Sequence, residues 1–228
     1  MLLEIELRGK ISKDGPISLS VLRRALAGQT FSRLSINLTS VGGDPAEAAE
    51  CYSMIRALPV PVCCTAADDC SSAALLIFLG AGYRRCKENT TVLLHQVSEQ
   101  RDTLPERVTA DVLRHRLESL DATDRRMLDV ISDRTGYSRD FFARDILTES
   151  PMSDVDMIST GLVHQIENLT PAPNPAWAAV ADNWRKVSTV SFPKYMFSPS
   201  YIESARVAAL FPELIAAGPR YSHSTCSN

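Results

Sequence analysis

Apolar and polar residues alternate in blocks along the chain, and the blocks switch between a strand-like and a helix-like period. Short apolar runs predict buried strands at residues 2–7, 34–38, 60–67 and 91–94. Apolar spacing of three and four residues predicts intervening helices at residues 18–27, 46–58 and 73–81. This order of elements predicts an α/β domain with a mainly parallel sheet.

A charged stretch at residues 105–133 predicts one long helix with a single apolar stripe. The stripe consists of Leu113, Leu117, Leu120, Met127 and Ile131. Such a helix either projects towards a partner subunit or lies on the surface with a solvated face, and the sequence leaves both open. Gly136 is expected to end it, and shorter helices are predicted at residues 139–147 and 153–160.

The composition changes after Thr170, where three prolines mark a linker: Pro171, Pro173 and Pro175. We therefore predict a domain at residues 1–170 and a C-terminal extension at residues 171–228. The sequence does not indicate a role for the extension.

Charge and cysteine usage exclude several classes of partner. The net charge of −3 does not suit a nucleic-acid surface, and no apolar run is long enough to span a membrane. The six cysteines show no metal-ligand spacing and sit largely in apolar runs. We expect no metal, no cofactor, no disulfide framework and a reducing, cytoplasmic environment.

Candidate chemistry lies in the polar segment between the predicted strand at 60–67 and the predicted helix at 73–81. Ser71 there would face the unpaired N–H groups of a helix start, which favour a developing oxyanion. The alternatives are that Ser71 merely caps the helix, or that Ser72 or Cys70 is the nucleophile. His95 follows a predicted strand, where ligands often meet an α/β sheet, and is the candidate base. Its alternative is a structural histidine.

These motifs resemble the proteolytic subunit of the Clp protease (ClpP) over residues 2–166. The resemblance rests on Ser40-Val41-Gly42-Gly43, Ser71 followed by Gly80-Ala81, Leu94-His95-Gln96, and the later Thr135-Gly136, Arg144-Asp145 and Gly161-Leu162-Val163. It implies a ClpP/crotonase-like α/β fold of repeated β-β-α units with a projecting long helix.

The resemblance also implies roles for individual residues. Ser71 would be the nucleophile, His95 the base, and Glu149 would stand where the family has an aspartate, with Asp145 as the alternative third member. The backbone N–H groups of Gly43 and Ser72 would bind the oxyanion.

The resemblance implies that the protein acts on peptides or unfolded proteins as an oligomer of like or mixed ClpP-like subunits. The family docks a Clp-type ATPase through aromatic residues, but the matching positions here are Ser35, Asn37 and Ala57, so we do not expect that docking. Other readings are a non-catalytic scaffold or regulatory subunit, a phage prohead-type protease, and a crotonase-like acyl-CoA enzyme.

Overall fold

The computed structural model describes residues 1–99, 108–167 and 190–191. The predicted proline linker, the first residues of the predicted long helix, and the extension other than residues 190–191 lie outside the described residues. Side chains at 190–191 are likewise outside the description.

A parallel sheet forms the centre of the domain, as predicted. Its strands are β1 (Leu2–Arg8), β3 (Arg33–Ser40), β4 (Val62–Ser71), β5 (Tyr83–Cys86), β6 (Thr91–Leu93) and β7 (Gln165–Ile166). The order is β1-β3-β4-β5-β7, and β6 pairs with β4 beyond the end of β5. A separate antiparallel pair joins β2 (Thr30–Phe31) to β8 (Val190–Ser191), so the extension returns to the domain.

Six helices surround the sheet in the described ranges. They are α1 (Leu19–Leu26), α2 (Pro45–Arg56), α3 (Ala74–Gly80), α4 (Ala110–Thr135), α5 (Arg139–Thr148) and α6 (Asp154–Ser159). Hydroxyl side chains of Ser18, Thr109 and Ser153 cap α1, α4 and α6 by accepting backbone N–H bonds. Gly136 ends α4 in the left-handed region, at φ 80°, as its position in the sequence predicts.

The short helix α3 lies in the middle of the core, because every residue from Ala74 to Gly80 is buried. An element that is apolar all round is stable only when it is covered on all sides. The α3 helix packs against α2, where the Gly80 Cα approaches Ile55 so closely that a Cβ would lie 3.1 Å from its side chain. The end of α3 therefore lies tightly against α2.

The long helix α4 has two different halves. Met127 and Ile131 in its C-terminal half are buried, whereas Leu113 and Leu117 in its N-terminal half are 53% and 59% exposed. At 1.5 Å per residue the helix is about 39 Å long. The apolar stripe predicted from the sequence is thus covered at one end and open at the other.

None of the helices in the described ranges is both long and apolar enough to cross a bilayer.

Arg84 on β5 connects several elements that pack around this strand. Its side chain is 2% exposed, and its guanidinium donates to the carbonyl oxygens of Ala81, Arg134, Gly161 and Leu162. These acceptors lie after α3, at the end of α4, and before β7. Burial, followed by the charges of Arg134 and Arg56, lowers the pKa of Arg84 to about 9. Because this value is still above neutral pH, the side chain remains a cation, and the carbonyl dipoles stabilise its charge.

His164 lies beside this cation and is held neutral by it. Its Nδ1 accepts the Arg84 backbone N–H at 3.2 Å. Burial, followed by the charges of Arg84 and Arg134, lowers the pKa of His164 to about 3. The folded protein therefore resists protonation of a group that the unfolded chain protonates readily.

We expect this to make the protein less stable in mild acid. The folded pKa of His164 lies below the ordinary value of 6.5, so between those values the unfolded state binds the extra proton. The free energy of unfolding should fall as pH drops through that window, at a slope of up to about 1.4 kcal/mol per pH unit from this residue. Urea unfolding at several pH values between 7 and 4 measures the slope.

His164→Asn, which keeps an acceptor for the Arg84 N–H, should flatten that slope. His115→Asn, on the exposed face of α4, is the matched control and should leave the slope unchanged. An equal slope in the wild type and in His164→Asn would contradict this account.

Candidate active site

A β-bulge in β4 shapes the approach to Ser71. Leu38 of β3 pairs with Ala66, and the next pair joins Ser40 to Cys70. Between these pairs β4 contains two more residues than β3. Asp68 in the bulge has φ 59°. Its carboxylate binds Arg8 of β1 at 2.9 Å. Bulges of this kind re-aim side chains and are common beside active sites.

Ser71 is the last residue of β4 and is buried, with 5% of its surface exposed. The N-cap of α3 is Ala73, so Ser71 is not a capping residue. Instead, the Ser71 hydroxyl donates to Asp69 Oδ1 at 2.5 Å. The chain then turns at Ser72, which has φ 56°, before α3 begins.

The Gly42-Gly43 turn lies against this serine. A Cβ on Gly42 would be 2.8 Å from Ser72 Cβ and 2.9 Å from the Ser71 carbonyl oxygen. A Cβ on Gly43, at φ 146°, would fall on the Ile11 carbonyl. Only glycine therefore allows this backbone to approach Ser71 so closely.

The two predicted oxyanion donors are in different situations. In the part of the chain that the structure describes, no acceptor pairs with the Gly43 N–H, whose neighbours are bound through Ile11 N–H to Gly42 O and Asp44 N–H to Ile11 O, both at 2.9 Å. The Ser72 N–H already donates to the Leu93 carbonyl at 2.9 Å. Gly43 is therefore the donor with free capacity.

His95 lies two residues past the end of β6, the strand that pairs with Ser71. Ser71 pairs with Leu93, so His95 is two residues beyond the partner of the serine. Its imidazole is half-buried, and Nδ1 lies 2.6 Å from the Gln96 carbonyl oxygen. Because a carbonyl can only accept, Nδ1 carries the proton and Nε2 is left as the basic nitrogen.

Glu149 approaches the same strand from the other side. Pro151 forms an antiparallel bridge with Leu93, and Met152 N–H binds the Val92 carbonyl at 2.8 Å. In an antiparallel pair, the residue two before Pro151 corresponds to the residue two after Leu93. Continued in the same register, this bridge would align Glu149 with His95 on neighbouring segments.

Glu149 itself is exposed and ends α5 in the left-handed region, at φ 49°. Asp145, the alternative acid, is half-buried, and burial raises its pKa above the ordinary value. Among the described residues no hydrogen bond joins Ser71 to His95, or His95 to either carboxylate. The fold brings the predicted residues to one edge of the sheet without closing the hydrogen-bond chain between them.

Asp69 is the site residue that the sequence analysis missed. It lies two residues before Ser71 inside a strand, where alternation places residues i and i+2 on one face. The available signal was the pair of carboxylates, Asp68-Asp69, in an otherwise apolar strand.

A cavity of about 140 Å³ lies beside the same segments. Its walls come from the start of α2, from α3 and from α4: Pro45, Ala46, Ala49, Leu76, Thr123, Arg126, Met127 and Val130. Pro45 follows the Gly42-Gly43 turn closely, and Leu76 lies one turn along the helix after Ser71. The cavity can take an apolar side chain with a cation at its rim. In the described ranges, no cluster of three or more metal-binding side chains was found.

Comparisons with known proteins agree with this architecture. The family model for Clp protease matches residues 20–169. Solved structures that match include a point mutant of ClpP1 from Listeria monocytogenes, with a TM-score of 0.59 and 17% identity, covering 77% of this chain and 94% of that chain. At that identity the likeness concerns the fold alone, and it confirms the predicted ClpP-like α/β fold. No curated protein matches the chain.

We predict that Gly43→Ala destabilises the protein by more than about 2 kcal/mol, because the added Cβ meets backbone and the φ angle disfavours any side chain. Urea unfolding measures the effect. Gly82→Ala is the matched control, since its Cβ would make only an ordinary 3.8 Å contact with the Val62 carbonyl. Equal stabilities of the two variants would contradict the close approach at Gly43.

Proposed function

Because the chain belongs to the Clp protease family, we propose that it is a serine endopeptidase that cleaves peptides or unfolded proteins through Ser71, His95 and Glu149. The observation that carries this proposal is the position of β6. It pairs with Ser71 of β4 on one side and bridges to Pro151 on the other, so the three side chains come from neighbouring segments.

The proposed reaction begins with the serine hydroxyl. Ser71 Oγ attacks the substrate carbonyl carbon while His95 Nε2 takes its proton. The C–N bond then breaks as the imidazolium returns that proton to the leaving amine. Water, deprotonated by the same nitrogen, hydrolyses the acyl-enzyme. The tautomer fixed by the Gln96 carbonyl supports this role, because it leaves Nε2 unprotonated.

The oxyanion of the tetrahedral intermediate needs backbone donors near Ser71. The Gly43 N–H is the first of these in our proposal, because it has no competing acceptor within the described residues. The Ser72 N–H is the second and must be shared with the Leu93 carbonyl. Such donors contribute about 10²–10³ in rate each in comparable serine peptidases.

Glu149 is the proposed partner of the imidazolium. It is one methylene longer than an aspartate, which suits its exposed position across the bridge from His95. Glutamate serves as the third member in some α/β-hydrolase triads. In this role it replaces the Gln96 carbonyl as acceptor of the His95 Nδ1 proton when charge develops.

The cavity between α2, α3 and α4 is the proposed place for the substrate side chain next to the cleaved bond. Its walls are largely aliphatic, from residues such as Leu76, Met127 and Val130, so an apolar side chain is the expected occupant. Arg126 at its rim adds a positive charge.

An assembly of several subunits is part of the proposal, because α4 exposes an apolar stripe that the described part of the chain does not cover. Leu113 and Leu117 are more than half exposed there. A cytoplasmic location is also proposed. It rests on the cysteine usage of the sequence, in which cysteines lie largely in apolar runs without the spacing of a disulfide framework.

A fluorophosphonate probe tests the peptidase chemistry. Wild-type protein should be labelled on Ser71, Ser71→Ala should not, and His95→Ala should react about 10²–10⁴-fold more slowly because its base is gone. His115→Ala, on the exposed face of α4, is the control and should behave as the wild type. Mass spectrometry of the labelled peptide locates the adduct, and release of fluorescent peptides measures turnover.

Other outcomes of that experiment identify the competing functions. An assembled protein that is never labelled would be a scaffold subunit. Binding of acyl-CoA without labelling would indicate a crotonase-like enzyme. If the Ser71→Ala variant is still labelled, the nucleophile is another residue, such as a neighbouring serine, and the proposed site is wrong.

Sedimentation velocity tests the assembly. We expect a species larger than a monomer at micromolar concentration, and a shift to smaller species in the Leu113→Glu/Leu117→Glu double variant, because charge disrupts an apolar contact. Ala122→Glu places the same charge on the opposite face of α4 and should not change the distribution. A wild-type monomer would contradict the proposal.

A further inference from the structure

The hydroxyl of Ser71 is bound to a carboxylate rather than to an imidazole. Its Oγ lies 2.5 Å from Asp69 Oδ1, which is a short distance typical of a hydrogen bond to a charged acceptor. The serine is buried, so water does not compete freely for this bond. His95, the proposed base, donates its Nδ1 proton to the Gln96 carbonyl oxygen in the same structure.

The position of Asp69 is fixed by the strand rather than by a mobile loop. Asp69 pairs with Thr91, and Ser71 pairs with Leu93, so both residues belong to the β4–β6 ladder. The bulge immediately before Asp69 contains Asp68, whose carboxylate forms an ion pair with Arg8 at the surface, where such a pair contributes little to stability. The carboxylate is thus presented to the serine by a backbone that pairs with β6, one residue before the pairing with β3 resumes at Cys70.

We propose that Asp69 is a positioning residue that holds the Ser71 hydroxyl in a resting orientation, and that Ser71 must exchange Asp69 for His95 before it can attack. This inference rests on the proposed function. It adds a restraint on the nucleophile that the predicted triad does not contain.

The geometry favours a restraint over a second general base. A general base works best when its pKa lies near the working pH, which suits an imidazole better than an ordinary carboxylate. A hydroxyl that donates to Asp69 also directs its proton away from His95. During the exchange the proton stays on Ser71 Oγ, and only its acceptor changes from Asp69 Oδ1 to His95 Nε2.

The rate of fluorophosphonate labelling of the full chain tests the restraint. In this reaction the Ser71 Oγ–P bond forms and the P–F bond breaks, with fluoride as the leaving group. Removing the charged acceptor in Asp69→Ala should raise the second-order rate about tenfold to a hundredfold, the factor that a charged hydrogen bond represents. Asp69→Asn, which keeps a neutral acceptor, should give a smaller increase.

Asp68→Asn is the matched control. It removes the same charge from the adjacent, exposed position and retains a residue that tolerates positive φ. Its labelling rate should stay within about twofold of wild type, a difference small against the effect of a charged hydrogen bond. Unchanged rates in both Asp69 variants would overturn the proposal, and slower rates would make Asp69 part of the catalytic base instead.

A second measurement does not depend on peptidase activity. In a Ser71→Cys variant, the Asp69 carboxylate should disfavour the thiolate and raise the thiol pKa. Adding Asp69→Asn should move the pH midpoint of iodoacetamide alkylation down by about one unit, a tenfold change in the thiolate fraction. Adding Asp68→Asn should not move it. The wild-type protein, in which Cys70 is the buried thiol of the same peptide, supplies the background.

The two measurements separate the possible failures. An unmoved alkylation midpoint overturns the contact between residues 69 and 71, whatever the protein catalyses. A midpoint that moves in a protein that no probe labels at Ser71 supports the contact and overturns the proposed peptidase function.

Discussion

Strand β4 must pair with two different strands along the same edge, and the candidate site depends on how it does so. Residues 63–66 pair with β5, whereas residues 69–71 pair with β6. The bulge lies between these two stretches, because β4 has to change partners while β3 continues along its other edge. Ser71 reaches the sheet edge next to β6 only because the strand continues past this change of partner.

The rest of the domain limits how far this arrangement can shift. Arg84 binds carbonyls that follow α3, α4 and α6, and thereby fixes the ends of the elements around β5. On the other side, Ile11 fixes the Gly42-Gly43 turn through two backbone bonds. The Gly42-Gly43 turn that lies against Ser71 is thus fixed from the other side of the sheet than the elements around β5.

The sequence predicted those elements whose residues bury a regular apolar pattern. The runs at residues 34–38 and 91–94 became strands, and the glycine after Thr135 ended α4 as expected. Strand β5 was missed because one of its buried residues is an arginine, Arg84. Its charge is stabilised by carbonyls that are distant in the sequence, so the strand lacks the apolar pattern by which a buried strand is recognised. The pairing of β2 with β8 was missed because two-residue strands carry no periodicity.

The limits were different at the site. Motif spacing selected Ser71 and His95, and the fold places Ser71 at the end of β4 and His95 just past its neighbour β6, but the hydrogen bonds within the site depend on register. From the sequence, Asp68-Asp69 were expected in the polar turn between a strand and a helix. The structure extends β4 through them, and this single change turns Asp69 from a loop carboxylate into the acceptor of the Ser71 hydroxyl.

The same register explains why an exchange of hydrogen-bond partners at Ser71 would be local. The backbone of β6 is held by Ser72 N–H on the Leu93 carbonyl and by Met152 N–H on the Val92 carbonyl. His95 follows the last of these bonds, where the strand has ended. The proposed exchange therefore needs rotation of the serine side chain and adjustment of the chain after Leu93, and neither requires a break in these sheet bonds. In the proposal, the barrier to this exchange is set by the hydrogen bond from Ser71 to Asp69. Asp69 would therefore control how readily Ser71 reacts.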